Sequence, residues 1–357
     1  METARRYAPL LALALVVVAV QVLTARTGTA FYLTQLTMAG YYALVIIGLC
    51  TLMGYAGQIS LGHAGFFAIG GYLAAGLTTH NLIAFQGHAV LQLLGRWGLL
   101  VASEDMFGDK FLTVHPWAAC VTAVLTAALV ALVIGLPVLK LKGHYLAMAT
   151  LGFGTIIYRV VLATAYFGQA DGISEVPGFT LLPGITVSGS LDARVTNYYI
   201  AWGLILFGML LLVNLVHSRV GRSLRAIHAS EEAAAASGVN VAGAKLGVFV
   251  LSAVFAALAG VFLTHYNGGI GPSEAGVMKS VRYVAIVAAG GMANLWGALV
   301  TGAVLNFLSM RGLFGSYDDA VFGAVLIAIM LFAPQGLLRL PVGRLFRRAR
   351  GSSSEVA

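Results

Sequence analysis

Long apolar stretches separated by short polar ones make up most of the chain. Apolar runs cover 8–23, 31–53, 64–77, 117–139, 145–166, 197–216 and 246–265. Two shorter ones follow at 283–289 and 295–308, and a last one at 320–333. Most long runs approach the ~20 residues an α-helix needs to cross a bilayer core. The alternating segments of a membrane β-barrel are absent. The pattern predicts an all-α, polytopic helical bundle of about 9–10 spans. The first run follows Arg5-Arg6 and precedes Gly28-Thr29-Ala30, so it reads as a span or as a signal peptide.

Composition sharpens this picture. Of the 357 residues, 59% are hydrophobic and 10% charged. A soluble domain carries about 25% charged residues, so a soluble fold is excluded for want of polar surface. Glycine, at 44 residues, is enriched as close helix packing in a bilayer requires. Cys50 and Cys120 lie within apolar runs and offer no disulfide framework or metal-ligand spacing.

The 21 Lys and Arg residues set an orientation. With the N-terminus inside, 13 fall on the cytoplasmic side, including Lys140, Lys142, Lys245 and five tail arginines. Seven fall outside, among them Lys279 and Arg282, which run against the bias. Both termini are expected in the cytoplasm of a bacterial cell, with the chain in the inner membrane. The net charge of +8 is then a topology signal, not a nucleic-acid one. The expected organisation is one transmembrane domain, 1–338, with a cytoplasmic loop at 217–245 and a basic tail at 339–357. Outside lie a polar stretch at 78–115 and a Gly/Pro/Ser-rich loop at 167–196.

Energy supply is the next question. All 13 carboxylates are expected in loops or tails, none mid-span. That leaves no proton relay of the kind coupled transporters carry. Arg159 is the single charge inside an expected span; it either snorkels to an interface or faces a translocation path. No phosphate-binding G-x-x-x-x-G-K-[ST] loop occurs, and no catalytic H-E-x-x-H or G-x-S-x-G motif. Neither cofactor nor metal site is expected, and power for active transport must come from a partner. A passive channel is the rival from another class, although filter and aquaporin-type signatures are missing.

Two stretches carry most of the information. In 54–66, glycines at 54, 57, 62 and 65 loosen the helix around Gln58, Ser60 and His63. Unwound backbone within a bilayer must be buried or line a cavity. These side chains satisfy freed backbone groups or touch a polar solute; a short interfacial turn is the plainer alternative. Gly290, Gly291 and Asn294 form a second break, and such pairs mark transporter sites. In 221–238, Arg222 and Arg225 precede a short helix capped by Ser230, with Glu231 and Glu232 in its first turn. Ala233 and Ala234 continue the helix and Gly238 closes it. Such a stiff rod fits a cleft on another protein; the alternative is a solvated connector.

At these places the chain resembles the permeases of branched-chain amino acid ABC importers, of the LivM type. The resemblance rests on GYAGQISLGHAGFFAIGG at 54–71, LKGHYLAMATLGFG at 141–154, GQADGISEVP at 168–177, GRSLRAIHASEEAAAASG at 221–238 and LFAPQGLL at 331–338. It implies a type II ABC-importer-like fold, similar to that of the cobalamin importers. It further implies a second homologous permease, two cytoplasmic ATPase subunits that bind the ATP, and a periplasmic or extracellular binding protein. The family's coupling signature falls on Glu232, Ala233, Ala234 and Gly238. Related permeases also carry urea, amides or aromatic acids.

Overall fold

The computed structural model describes residues 2–83, 95–96, 98–104, 110–141, 143–312, 317, 320–324 and 327–328. The basic tail, the 331–338 string and much of the 320–333 span lie outside the described residues, as does most of 84–109. Eleven helices account for most of the described chain: α1 Glu2–Arg26, α2 Phe31–Cys50, α3 His63–Thr79, α4 Pro116–Val138 and α5 His144–Ala163. They continue with α6 Arg194–His217, α7 Arg219–Ala229, α8 Glu231–Ala236, α9 Val241–Asn267, α10 Val277–Gly290 and α11 Leu295–Met310. A five-residue π-helical turn, Thr51–Tyr55, prolongs α2. Among the described residues, six helices (α1, α2, α4, α5, α6 and α9) are long and apolar enough to cross a membrane. The shorter α3, α10 and α11 pack among them.

The centre of the bundle is α2, α3 and α9. Nearly every side chain from Ala39 to Ala56 is buried. Helices α3 and α9 run in the same direction, with His63 against Ser252 and Gly71 against Thr264. They touch backbone to backbone, because a Cβ at Gly70 would strike the Ala257 carbonyl and one at Gly260 the Phe67 carbonyl. Small residues allow the same approach on α4. Ala119, Ala123, Ala127 and Ala131, four apart, form its buried face. Its other face exposes Leu125, Leu129 and Val133, as a lipid-facing surface should. Helix α1 sits at the rim against α6, where the Tyr7 hydroxyl donates to Asn214 Oδ1 (2.9 Å) and the Tyr198 hydroxyl to the Val17 carbonyl (3.1 Å).

The chain is not purely helical. Among the described residues, three two-stranded antiparallel sheets gather at one end. They are β1 Leu100–Glu104 with β2 Lys110–Val114, β3 Ile173–Ser174 with β6 Gly269–Ile270, and β4 Phe179–Leu182 with β5 Ile185–Val187. The 167–196 stretch, expected as an irregular loop, thus contains three short strands. They are too short to leave a hydrophobic period of two. The opposite end carries α7 and α8.

Candidate functional site

The 217–245 loop folds as two short helices. Ser218 Oγ accepts the N–H groups of Val220 (3.1 Å) and Gly221 (3.4 Å) and starts α7. Gly221, Leu224 and Ile227, on one face of α7, are buried. Arg222 and Arg225 therefore point away from the bundle and are exposed. Ser230 ends α7 and caps α8 through the Ala233 N–H (3.3 Å). Gly238, at φ +81°, closes α8 with the Val239 N–H on the Ala234 carbonyl (3.0 Å) and its own N–H on Ala235 (2.9 Å). That left-handed cap is why glycine stands there.

The acidic pair splits in role. Glu231 forms an ion pair with Lys245 of α9, whose side chain is 6% exposed. Ala234 is buried beneath the rod, while Glu232, Ala233 and Gly238 are exposed. Glu231 and Ala234 therefore seat the rod, and Arg222, Arg225, Glu232 and Ala233 make up its outer strip.

Above the rod lies the first break. Residues 57–62 leave the helix between the π turn and α3. Gly57 adopts φ +69° and packs on His228 of α7, 3.3 Å from where a Cβ would stand to the ring. The loosened backbone is met by side chains from three other helices. Thr150 Oγ1 of α5 accepts the Leu61 N–H (3.0 Å), and Ser280 Oγ of α10 accepts the Ala64 N–H (3.1 Å). His63 bridges Ser60 Oγ (3.1 Å) and Ser252 of α9. Ser60 and His63 are thus buried and partnered. Gly62 presses on the Thr150 carbonyl, where no side chain fits. Gln58 differs: it is 2% exposed, and both polar atoms of its amide lack a partner.

The second break makes the tight turn between α10 and α11. Gly290 packs on the Gly297–Ala298 backbone, Gly291 takes φ +98°, and Asn294 Oδ1 caps α11 through the Gly297 N–H (3.1 Å). These three form the turn. The two breaks do meet, however. Gly54 leaves room for the Met292 carbonyl, which also accepts from Cys50 Sγ (3.3 Å).

Glu274, expected in a loop, lies in the short 3-10 turn Pro272–Ala275 that leads into α10. Its Oε1 accepts from the Tyr42 hydroxyl (2.9 Å) and from Lys279 Nζ (2.9 Å). Tyr42 lies eleven residues, about 16 Å of helical rise, into the 25-residue span 31–55. The carboxylate therefore meets that span in its middle third. The segment 269–276 turns back among the spans, so that α10 begins inside the bundle. A lone charge there costs about 2.5–3.5 kcal/mol on the insertion scale; the pair and the Tyr42 hydroxyl offset this. The signal available in the sequence was the misfit of Lys279 and Arg282 to the charge bias. Arg159, by contrast, is exposed on α5.

Residues 31–330 match the family described as branched-chain amino acid transport system / permease component. The chain belongs to that family. The permease is 28% identical over 344 residues to the high-affinity branched-chain amino acid transport system permease protein LivM of Salmonella typhimurium, covering 90% of this chain and 73% of the relative. It is 27% identical over 316 residues to LivH of Escherichia coli strain K12, covering 85% of this chain and 93% of that one. A shorter match, 32% over 124 residues, joins it to the ribose import permease protein RbsC of Haemophilus influenzae, covering 32% of this chain and 38% of the relative. No solved structure matches. The permease is accordingly a multi-pass membrane transport subunit, and its chemistry is passage of a solute.

Proposed function

We propose that this permease forms half of the pathway of an ATP-driven importer for branched-chain or closely related amino acids. A second, homologous permease supplies the other half. Two cytoplasmic ATPase subunits bind and hydrolyse the ATP, and a binding protein delivers the solute from the opposite side. The permease itself binds no nucleotide and catalyses no reaction. It lies in the bacterial inner membrane with both termini in the cytoplasm, so the α7–α8 rod faces the ATPases and the β-hairpins face the binding protein.

One arrangement carries this reading. The exposed strip of Arg222, Arg225, Glu232 and Ala233 belongs to a rod that touches the broken α2–α3 connection at Gly57. Closure of the ATPases on the strip displaces α7, and α7 bears on Gly57. The break at 57–62 then shifts the N-terminus of α3 against α5, α9 and α10. A helix with an intact hydrogen-bond ladder would resist that push; a break whose backbone is held by side chains can exchange partners. Access alternates because the rod is stiff and the break is not.

The test is uptake of radiolabelled leucine by vesicles containing the whole complex and its binding protein. Uptake that requires ATP and all partner subunits supports the reading. Uptake that persists after ATP depletion refutes it in favour of a passive facilitator. Reporter fusions at the two termini check the orientation, and a terminus outside the cytoplasm would invert it.

A further inference from the structure

The Glu274 carboxylate has more hydrogen-bonding capacity than its neighbours use. Glu274 Oε1 takes both the Tyr42 hydroxyl and Lys279 Nζ, while Oε2 is out of contact with solvent and has no partner. The hydroxyls of Tyr72 and Tyr283 are likewise buried and unpartnered. Both side chains are only 1% exposed; the Tyr283 ring lies 6.3 Å from that of Tyr42, which bonds Glu274, and Tyr72 stands on α3, against which the Pro272–Ala275 turn packs. Two orphaned hydroxyls beside a carboxylate whose own Oε2 is orphaned are unusual, because buried polar groups are nearly always paired. In a bilayer, no water is present to relieve them.

The ion pair also reaches a surface. The side chains of Glu274 and Lys279 are 19% and 24% exposed, beside the exposed Ser273. Among the spans a charged group does not face lipid; it faces protein or a water-filled path. On the importer reading above, the exposed edge of the pair lines the conduit between this permease and the second one.

We propose that Glu274, Lys279, Tyr72 and Tyr283 form a station in the conduit for the zwitterionic head group of an amino acid. The ammonium group docks on Glu274 Oε2 and the carboxylate on Lys279 Nζ, which keeps a third donor beyond Glu274 and Tyr42. The tyrosine hydroxyls complete the ammonium shell. An anion acceptor and a cation acceptor joined in one pair match a zwitterion; a neutral amide or a sugar carries neither charge. The station rests on the amino-acid reading above and names where that cargo pauses.

The experiment uses the complete transporter in vesicles, with radiolabelled leucine loaded on its binding protein, and measures leucine moved per ATP hydrolysed. Glu274→Gln is expected to lower that ratio by about tenfold or more, the effect of losing one charge-assisted contact. ATP hydrolysis stays within about twofold, since the rod is untouched. Tyr72→Phe removes a hydroxyl that bonds nothing in this chain, so it should fold normally and still lower the ratio about threefold. A wild-type ratio in Tyr72→Phe and Glu274→Gln overturns the station and leaves the importer reading standing. So does a Glu274→Gln complex that loses assembly, hydrolysis and uptake together while Tyr72→Phe is normal, for the pair is then purely structural. A wild-type complex that hydrolyses ATP but moves no amino acid overturns the cargo and the station with it.

Discussion

Replacing Thr150 by valine tests whether side chains hold the break before α3. Thr150 is fully buried, and its Oγ1 donates within its own helix, to the Leu146 (3.1 Å) or Ala147 (3.0 Å) carbonyl. The same oxygen accepts the Leu61 N–H at 3.0 Å. Valine keeps the shape and β-branch, so little packing is lost. What remains is a part-buried amide with no acceptor, at a cost of at least about 1 kcal/mol and up to about 3 kcal/mol. That equals roughly a five- to 150-fold shift between the held and released break. Thr155 of the same helix is the control, because its Oγ1 bonds only to the Leu151 carbonyl (3.0 Å). Thr155→Val should therefore leave the break intact. The assay is the thermal midpoint of the solubilised complex together with ATP-driven leucine uptake. We expect Thr150→Val to lower the midpoint by at least about 2 °C relative to Thr155→Val and to uncouple hydrolysis from uptake. Equal behaviour of the two variants would refute the claim that the cross-helix bond, and not the local helix, secures this segment.

Three further outcomes follow from the same geometry. Glu231→Gln leaves Lys245 buried without its counter-charge, so protease access to 217–245 should rise and coupled uptake fall; adding Lys245→Met should restore the protected loop, and failure to do so would remove the seating role. Gly238→Pro cannot adopt φ +81° and loses the N–H that bonds Ala235, so uptake should vanish while membrane insertion, read by fractionation, is unchanged. Gly260→Leu drives a side chain into the Phe67 carbonyl at the α3–α9 contact; with a cost above ~3 kcal/mol, no monodisperse permease should be recovered by size exclusion, and a well-behaved variant would disprove the tight contact.

Much of the molecule is legible from local pattern alone. A span announces itself because some twenty consecutive side chains must each be apolar, whatever they pack against. The rod is legible for a similar reason: Ser230, the acidic first turn and Gly238 satisfy requirements of the helix itself. What the pattern leaves undecided is which residue faces which neighbour. Glu231 and Glu232 are adjacent in sequence, and only the position of Lys245 on α9 assigns one to the seat and the other to the outer strip. Gly290, Gly291 and Asn294 read as a break in the sequence, and only the structure shows that this break is the turn between α10 and α11.

The place of Glu274 among the helices is what only the tertiary structure decided. Glu274 sits in a turn-rich segment, and hydropathy assigns such a segment to an aqueous face. The chain instead folds it back beside Tyr42, with a cation five residues on at Lys279 to neutralise it. Hydropathy sums the transfer cost of each residue as though it stood alone, whereas burial of a charge depends on the partner that meets it. That partner's hydroxyl is supplied by a helix 232 residues away along the chain.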